Sequence, residues 1–266
     1  MSSKNLDQYY TKKEIAEQCY KMLIEFISDN NLKETRFLEP SAGTGAFYDL
    51  LPKNNRLGID IDPKIDEIIP YNFLDYSLPF DDYITIGNPP FGKNSSLAIK
   101  FFNKSAKHSS VIAFIVPKTF KKDSVVNRLD KFFELKFEYD LPIYSFEFES
   151  KDYDVPCVFQ IWIKCVNPRE KINGVYTHND FSFITKELAD FAIQRVGVNA
   201  GAIKENFTNC SSSSHYFIKC SPEILDTFKM INWDTIKYNT AGNPSISKTE
   251  LINLYNTYKT QKVNNV

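Results

Sequence analysis

The stretch Ile84-Thr85-Ile86-Gly87-Asn88-Pro89-Pro90-Phe91-Gly92 restricts the fold of this chain more than any other. A β-branched run cannot continue as a strand through two prolines, because each lacks a backbone N–H and fixes φ. The strand predicted over Asp82–Gly87 must therefore end at Asn88. The carbonyls of Pro89 and Pro90 then point outward, unused by the sheet. Asn88 adds a side-chain carbonyl, and Phe91 adds a flat apolar face. Two converging acceptors and a stacking plate suit a planar base or amide that carries an NH2 group. The plain alternative is a rigid proline turn after a strand.

Upstream, Phe37-Leu38-Glu39-Pro40-Ser41-Ala42-Gly43-Thr44-Gly45 reads as a strand running into a glycine turn. The glycines let the backbone turn tightly and approach a ligand. The third glycine of a dinucleotide fingerprint is replaced by Tyr48, so a diphosphate cradle is disfavoured. Asp60 closes the next strand, Arg56–Ile61, and an acid there can accept both hydroxyls of a ribose. Taken alone, Asp60 and Asp62 read as surface acids; with the glycine turn they shift toward a nucleoside-containing cofactor without need for a diphosphate.

The remaining elements alternate. A helix is predicted over Thr11–Ile27, with Thr11 and Glu14 forming a capping box. A second helix starts over Ala46–Leu51, and a short strand covers Ile68–Phe73. A helix over Leu97–Lys107 follows, then an apolar strand over Val111–Val116 and strands over Leu135–Tyr139 and Val155–Val166. Such alternation predicts an α/β fold, a mostly parallel sheet with helices on both faces. The texture changes near residue 167. Beyond it lie Gly197, Gly201, a Ser211–Ser214 run and two amphipathic stretches, Ser221–Trp233 and Ser247–Lys259. The expected division is a domain over 1–166 and a small α+β part over 167–266.

Composition excludes several classes. The chain of 266 residues is 42% apolar and 15% aromatic, enough to bury a core, so general disorder is out. No run of about 18 apolar residues is present, so no membrane span is expected. Met1–Asp7 has no apolar region of the secretory kind. Five cysteines without a CxxC pair point to reduced thiols and a cytoplasmic location. His108, His178 and His215 are far apart, so no metal site is expected. With 32 basic and 33 acidic residues, bulk charge does not announce a nucleic-acid binder.

In this order the segments resemble the γ-type adenine-N6 DNA methyltransferases, the TaqI- and Eco57I-like enzymes that use S-adenosylmethionine. The resemblance spans roughly residues 8–165. It rests on Tyr9-Tyr10-Thr11-Lys12, on Leu38–Phe47, on Gly58-Ile59-Asp60-Ile61-Asp62-Pro63, on Asn88–Phe91 and on Val116-Pro117-Lys118-Thr119-Phe120. It implies a Rossmann-like class I methyltransferase fold with S-adenosylmethionine as cofactor. The implied cofactor contacts are Tyr10, Thr11, Glu39, Pro40, Ser41, Ala42, Gly43, Gly45, Asp60, Ile61, Asn72, Phe73 and Asn88. The implied catalytic group is Asn88, Pro89, Pro90 and Phe91. Phe91 would stack on the target base, with Phe148 or Phe146 on its other face and Tyr153 behind them. The family's cofactor-adenine acid is replaced here by Asn72, with Asp75 as the alternative.

DNA is the first partner implied and RNA the alternative, in a restriction-modification or phage modification setting, with a possible recognition or partner subunit. Lys118, Lys121, Lys122 and Arg195 are the candidates for phosphate contacts, with Arg128 and Lys131 beside them. A solvated helix face is the competing reading for these lysines. The loop at Arg195–Gly201 reads either as a phosphate cradle or as an ordinary left-handed turn. His215 reads as structural. Two further rivals are a protein-glutamine methyltransferase and a cofactor-binding but inactive subunit.

Overall fold

The computed structural model describes residues 9–27, 34–148, 151–240 and 242–264. Residues 1–8, read above for a leader, lie outside them. The chain divides into two compact units, Met1–Lys171 and Ile172–Val266.

The first unit runs β1 (Tyr10–Thr11), α1 (Lys13–Ile27), β2 (Phe37–Glu39), β3 (Arg56–Asp60), β4 (Ile69–Pro70), β5 (Tyr83–Gly87), α2 (Ser96–Ala106), β6 (Ser109–Pro117), α3 (Asp123–Val126), β7 (Phe133–Asp140), β8 (Phe146–Phe148), β9 (Lys151–Tyr153) and β10 (Cys157–Lys164). Seven strands form one sheet in the order β4-β3-β2-β5-β6-β10-β7. Pairing is parallel from β4 to β6 and antiparallel on both sides of β10, the one reversed strand. The chain leaves β2 toward β3 and β4, then returns to its other side as β5. Between β2 and β5 lies the switch point of a doubly wound sheet, where a crevice opens at the strands' carboxyl ends.

Period-two alternation splits the central strands between two cores. Ile112, Phe114 and Val116 face α2 together with Phe101, Phe102 and Trp162. Val111, Ala113 and Ile115 face α1 together with Ile15, Cys19, Leu23 and Phe159. This two-sided burial is why β6 reads as a continuous apolar run. The one polar side chain deep in β10, Gln160, is satisfied: it donates to Glu138 and accepts from the Trp162 indole.

Several sequence expectations shift. The helix expected at Ala46–Leu51 is a single 3₁₀ turn, Tyr48–Leu50, because Pro52 cannot continue it and Gly45 at φ 84° opens the turn before it. The strand expected over Ile68–Phe73 shrinks to β4, and Asn72 then caps a 3₁₀ turn at Phe73–Asp75. The Thr11–Glu14 capping box does not form. Thr11 is a strand residue opposite Phe146, and the first amides of α1 reach the Lys12 carbonyl instead. A capping box does form at Ser247 and Glu250, which exchange hydrogen bonds. The stretch over 143–153 contains the hairpin β8–β9, which holds β1 in a three-stranded sheet.

The second unit contains β11 (Phe181–Phe183), β12 (Phe191–Gln194), β13 (Ile203–Lys204), β14 (His215–Cys220), α4 (Pro222–Met230), α5 (Asp234–Lys237) and α6 (Lys248–Asn264). Its antiparallel sheet, β11-β14-β12-β13, buries Phe181, Phe191, Ile193 and Ile218 against Phe228, Trp233, Leu251 and Tyr255. Among the described residues no helix is long and apolar enough to cross a membrane.

Glu39, at the end of β2, is 2% exposed, and its Oε2 has no partner among the described residues. Burial pushes its carboxyl well above the usual range, and the nearby Asp60 and Asp49 push the same way, against the Tyr48 N–H and Arg56. The folded chain therefore holds this proton more tightly than the unfolded chain. That contribution is fully present below the ordinary carboxylate range and is lost as pH rises through the raised value. Glu39→Gln should accordingly match the parent chain in urea midpoint at about pH 4 and unfold at a higher urea concentration than the parent at about pH 8. Identical pH dependence in the two proteins would overturn the burial of this carboxyl as a cost.

Candidate active site

A cavity of about 320 Å³ opens at the switch point. Three strand ends build it: Pro40, Ser41 and Gly43 after β2, Asp60 and Ile61 at the end of β3, and Asn88, Pro89, Pro90 and Phe91 after β5. Tyr9 and Tyr10 close one side. Asn72, Phe73, Leu74, Leu97 and Phe101 close another.

The glycine turn is wired to the next strand. The Gly43 N–H donates to Asp60 Oδ2 at 2.8 Å, and the Asp62 N–H donates to Asp60 Oδ1 at 2.8 Å. Each carboxylate oxygen thus holds one amide and keeps a further lone pair. Gly43 has φ 46°, and a Cβ there would lie 3.1 Å from the Tyr10 ring. The glycine therefore serves both the turn and the close approach of that ring.

Asn88 is held through its side chain and through its main chain. Its Nδ2 donates to the Tyr9 carbonyl at 3.1 Å, and its main-chain oxygen accepts from Ser41 Oγ at 3.0 Å. Its Oδ1 is buried with no partner among the described residues. Phe91 is fixed through its carbonyl, which accepts from the Leu97 and Ala98 N–H groups in the first turn of α2. Phe73 is 2% exposed, with its ring 5.2 Å from that of Phe101. Asn72 Oδ1 accepts from the Leu74 N–H at 3.2 Å, while its Nδ2 donates to Asp75 at 2.6 Å. Of that pair, Asn72 lines the cavity.

Nine of the expected cofactor contacts therefore line this cavity: Tyr10, Pro40, Ser41, Gly43, Asp60, Ile61, Asn72, Phe73 and Asn88. Thr11, Glu39, Ala42 and Gly45 do not. Thr11 and Glu39 are buried behind it with Oγ1 and Oε2 unpartnered. Ala42 packs with Tyr48 and Ile68, and Gly45 donates to the Ala42 carbonyl to close the turn. Phe146 is corrected. Its ring is fully buried in the core on the α1 side, so it is no partner for a base. Phe148 lies 5.9 Å from Tyr9, and Tyr153 stacks on Tyr9 at 4.5 Å and 17°.

The phosphate candidates change most. Lys118 pairs with Asp140 at 2.9 Å, and Lys121 pairs with Glu138 and Asp140 at 2.8 and 2.6 Å. Burial pushes the Asp140 carboxyl up, but the two lysines outweigh it and hold it below the usual range. These two cations are engaged within the protein by acids of β7. Lys122 lies at the start of α3, where its carbonyl accepts from Val125 and Val126. The cradle at Arg195–Gly201 does not form either. The Gly197 N–H goes to the Pro244 carbonyl and the Gly201 N–H to the Gln194 carbonyl. Arg195 itself lies over the Tyr216 ring, 5.2 Å from its centre, and donates to the Ser213 carbonyl. His215 is 8% exposed, and burial holds its pKa below the usual imidazole value.

Sequence reasoning missed Tyr9 as a ligand of Asn88, and Leu97 and Phe101 as cavity walls. The last two stand four apart on α2, a helical spacing that puts them on one face.

No protein-family model matches the chain, and no curated protein matches it. Solved structures do. The "putative RNA methyltransferase" of Pyrococcus horikoshii aligns over 62% of this chain and 91% of its own, at 16% identity and a TM-score of 0.50. The 23S rRNA methyltransferase ErmE aligns over 60% and 71%, at 15% identity and a TM-score of 0.41. The magnesium protoporphyrin IX methyltransferase of Synechocystis, solved with its cofactor bound, aligns over 56% and 79%, at 10% identity and a TM-score of 0.42. The first of these likenesses is one of fold: the sheet of this chain is that of the Rossmann-like class I methyltransferases.

Proposed function

We propose that the chain transfers a methyl group from S-adenosylmethionine to the exocyclic N6 amino group of adenine in nucleic acid. The observation that carries this reading is Asn88, a residue of the cavity wall whose side-chain oxygen is buried and has no partner among the described residues. A buried acceptor without a donor calls for a ligand that brings N–H.

The residues present fit the cofactor. Asp60 offers two oxygens with lone pairs to spare for a ribose diol. Phe73 and Leu74 supply an apolar wall for a ring, and Asn72 stands at its edge. Bound S-adenosylmethionine supplies an electrophilic methyl group on a sulfonium. The amino group of adenine is a poor nucleophile because its lone pair is delocalised into the ring. Asn88 Oδ1 and the Pro89 carbonyl would accept its two hydrogens, favour a tetrahedral nitrogen and free that lone pair. Phe91 would hold the base flat for in-line attack. The proton left on the methylated nitrogen is acidic enough to pass to water without a dedicated base.

DNA is the first acceptor, on the strength of the motif forms at Tyr9–Lys12 and Leu38–Phe47. In a duplex the target adenine must first leave the stack. RNA is the second acceptor. It is favoured by the Pyrococcus structure, whose description names an RNA methyltransferase. The first unit is proposed to hold the chemistry and the second to serve target recognition or an accessory role.

Labelled cofactor offered with DNA, RNA and protein in separate reactions should leave label on nucleic acid. Label on protein alone would sink the reading, and label on RNA alone would move the acceptor to RNA. Asn88→Ala should lower transfer at least about 100-fold while cofactor binding stays measurable; surviving transfer would show the site assignment to be wrong. By titration calorimetry Asp60→Ala should bind the cofactor about tenfold or more weakly, and unchanged affinity would refute the ribose role.

A further inference from the structure

We infer that residues Tyr9–Lys12 form a positioning strap for Asn88, acting through the main-chain carbonyl of Tyr9 and held in place by the hairpin β8–β9. The inference rests on the reading of Asn88 as the acceptor for an amino group, and it adds what sets that acceptor's orientation.

An asparagine amide can rotate by half a turn, exchanging its oxygen and nitrogen at little cost in shape. Only one of the two orientations serves the proposed chemistry. With Oδ1 toward the cavity, Asn88 accepts; with Nδ2 there, it would set an NH2 against the NH2 of the ligand. The Tyr9 carbonyl makes the choice. It is an acceptor only, and it lies 3.1 Å from Asn88 Nδ2. The rotated amide would place two carbonyl oxygens against each other. Ser41, donating to the Asn88 main-chain oxygen, fixes the backbone from the other side.

A carbonyl can act this way only if it is itself held, and a two-residue strand does not hold itself. The hairpin supplies the grip. Tyr10 pairs with Glu147 and Thr11 with Phe146, and the Lys12 N–H reaches the Ser145 carbonyl at 3.1 Å. Lys12 Nζ lies 2.8 Å from Asp152, and the Tyr9 ring stacks on Tyr153. The same strap reaches the glycine turn, because the Tyr10 ring covers Gly43 where a Cβ would stand 3.1 Å away. One short segment thus touches both the turn that receives Asp60 and the amide of Asn88.

Tyr153 is 40% exposed and outside the cavity wall, so its truncation leaves the core intact. The test is side-chain amide hydrogen exchange in the full chain labelled with nitrogen-15 at asparagine. Asn88 should be protected in the parent chain, Tyr153→Ala should speed its exchange about tenfold or more, and Tyr153→Phe should restore protection. The Asn103 side-chain amide, bound to the Arg128 carbonyl and to no residue of the strap, should not change. In turnover, Tyr153→Ala should lower kcat about tenfold with the KM for cofactor within about threefold, and Tyr153→Phe should recover it. If Tyr153→Ala leaves Asn88 exchange unchanged, the strap is overturned whatever the activity. If exchange responds as expected but no amino acceptor is methylated, the strap stands as a structural device and the proposed reaction falls.

Discussion

The parallel pairing of β2 with β5, Phe37 opposite Ile84 and Leu38 opposite Thr85, is the constraint on which the site depends. These neighbours in the sheet are far apart in the chain, because β3 and β4 intervene on the other side. Two loops therefore leave adjacent strand ends and diverge, which opens the crevice. The pairing also brings Ser41 to the Asn88 main-chain oxygen, one short step past the last rung. A slip of one residue would turn every side chain of β2 to the other face. It would carry Phe37 and Leu38 out of their separate cores.

Around that crevice, polar groups fall into two sets. Asp60, Asn72 and Ser41 are bound into the protein by short hydrogen bonds and define its shape. Asn88 Oδ1, Thr11 Oγ1 and Glu39 Oε2 are buried without partners among the described residues. Leaving a buried polar group unpaired costs about 1–3 kcal/mol, so native structures concentrate such groups where a ligand or a function repays them. The three residues lie on β1, at the end of β2 and just past the end of β5, the elements that frame the cavity. The two sets meet at Ser41, which donates to the Asn88 main-chain oxygen and so fixes the backbone that carries the unpartnered amide oxygen.

The electrostatics of the first unit point the same way. Its most prominent run of lysines, after β6, is answered by acids on β7, so that Lys118 and Lys121 stabilise the sheet edge through Glu138 and Asp140. With a net charge of −1, the chain is not built for strong non-specific attraction to phosphate. Under the proposed function, selectivity would rest instead on the cavity, on one amide oxygen, one proline carbonyl and one aromatic face.

What the sequence discloses about this arrangement is what lies within one element or one turn. The prolines after β5, the glycine turn after β2 and the acid ending β3 are each legible because backbone chemistry dictates them locally. The apolar run of β6 announces a strand buried on both sides. Local signals also mislead where a distant partner intervenes. Thr11 and Glu14 have capping-box spacing, but Phe146 claims Thr11 for a strand. Lys118 and Lys121 look free until β7 sets its acids beside them. Phe146 and Phe148 are indistinguishable in sequence and, two apart on β8, share a face of the strand, yet Phe146 is buried in the core while Phe148, at the end of the strand, lies beside Tyr9. The Tyr9 carbonyl is the extreme case. Its partner Asn88 is 79 residues away, and the ring that steadies Tyr9 belongs to Tyr153, 144 residues away. A main-chain carbonyl leaves no mark in the identity of its own side chain. Its role exists only once the sheet and the hairpin have brought three remote segments together, which is why the residue that orients the proposed acceptor is invisible until the fold is known.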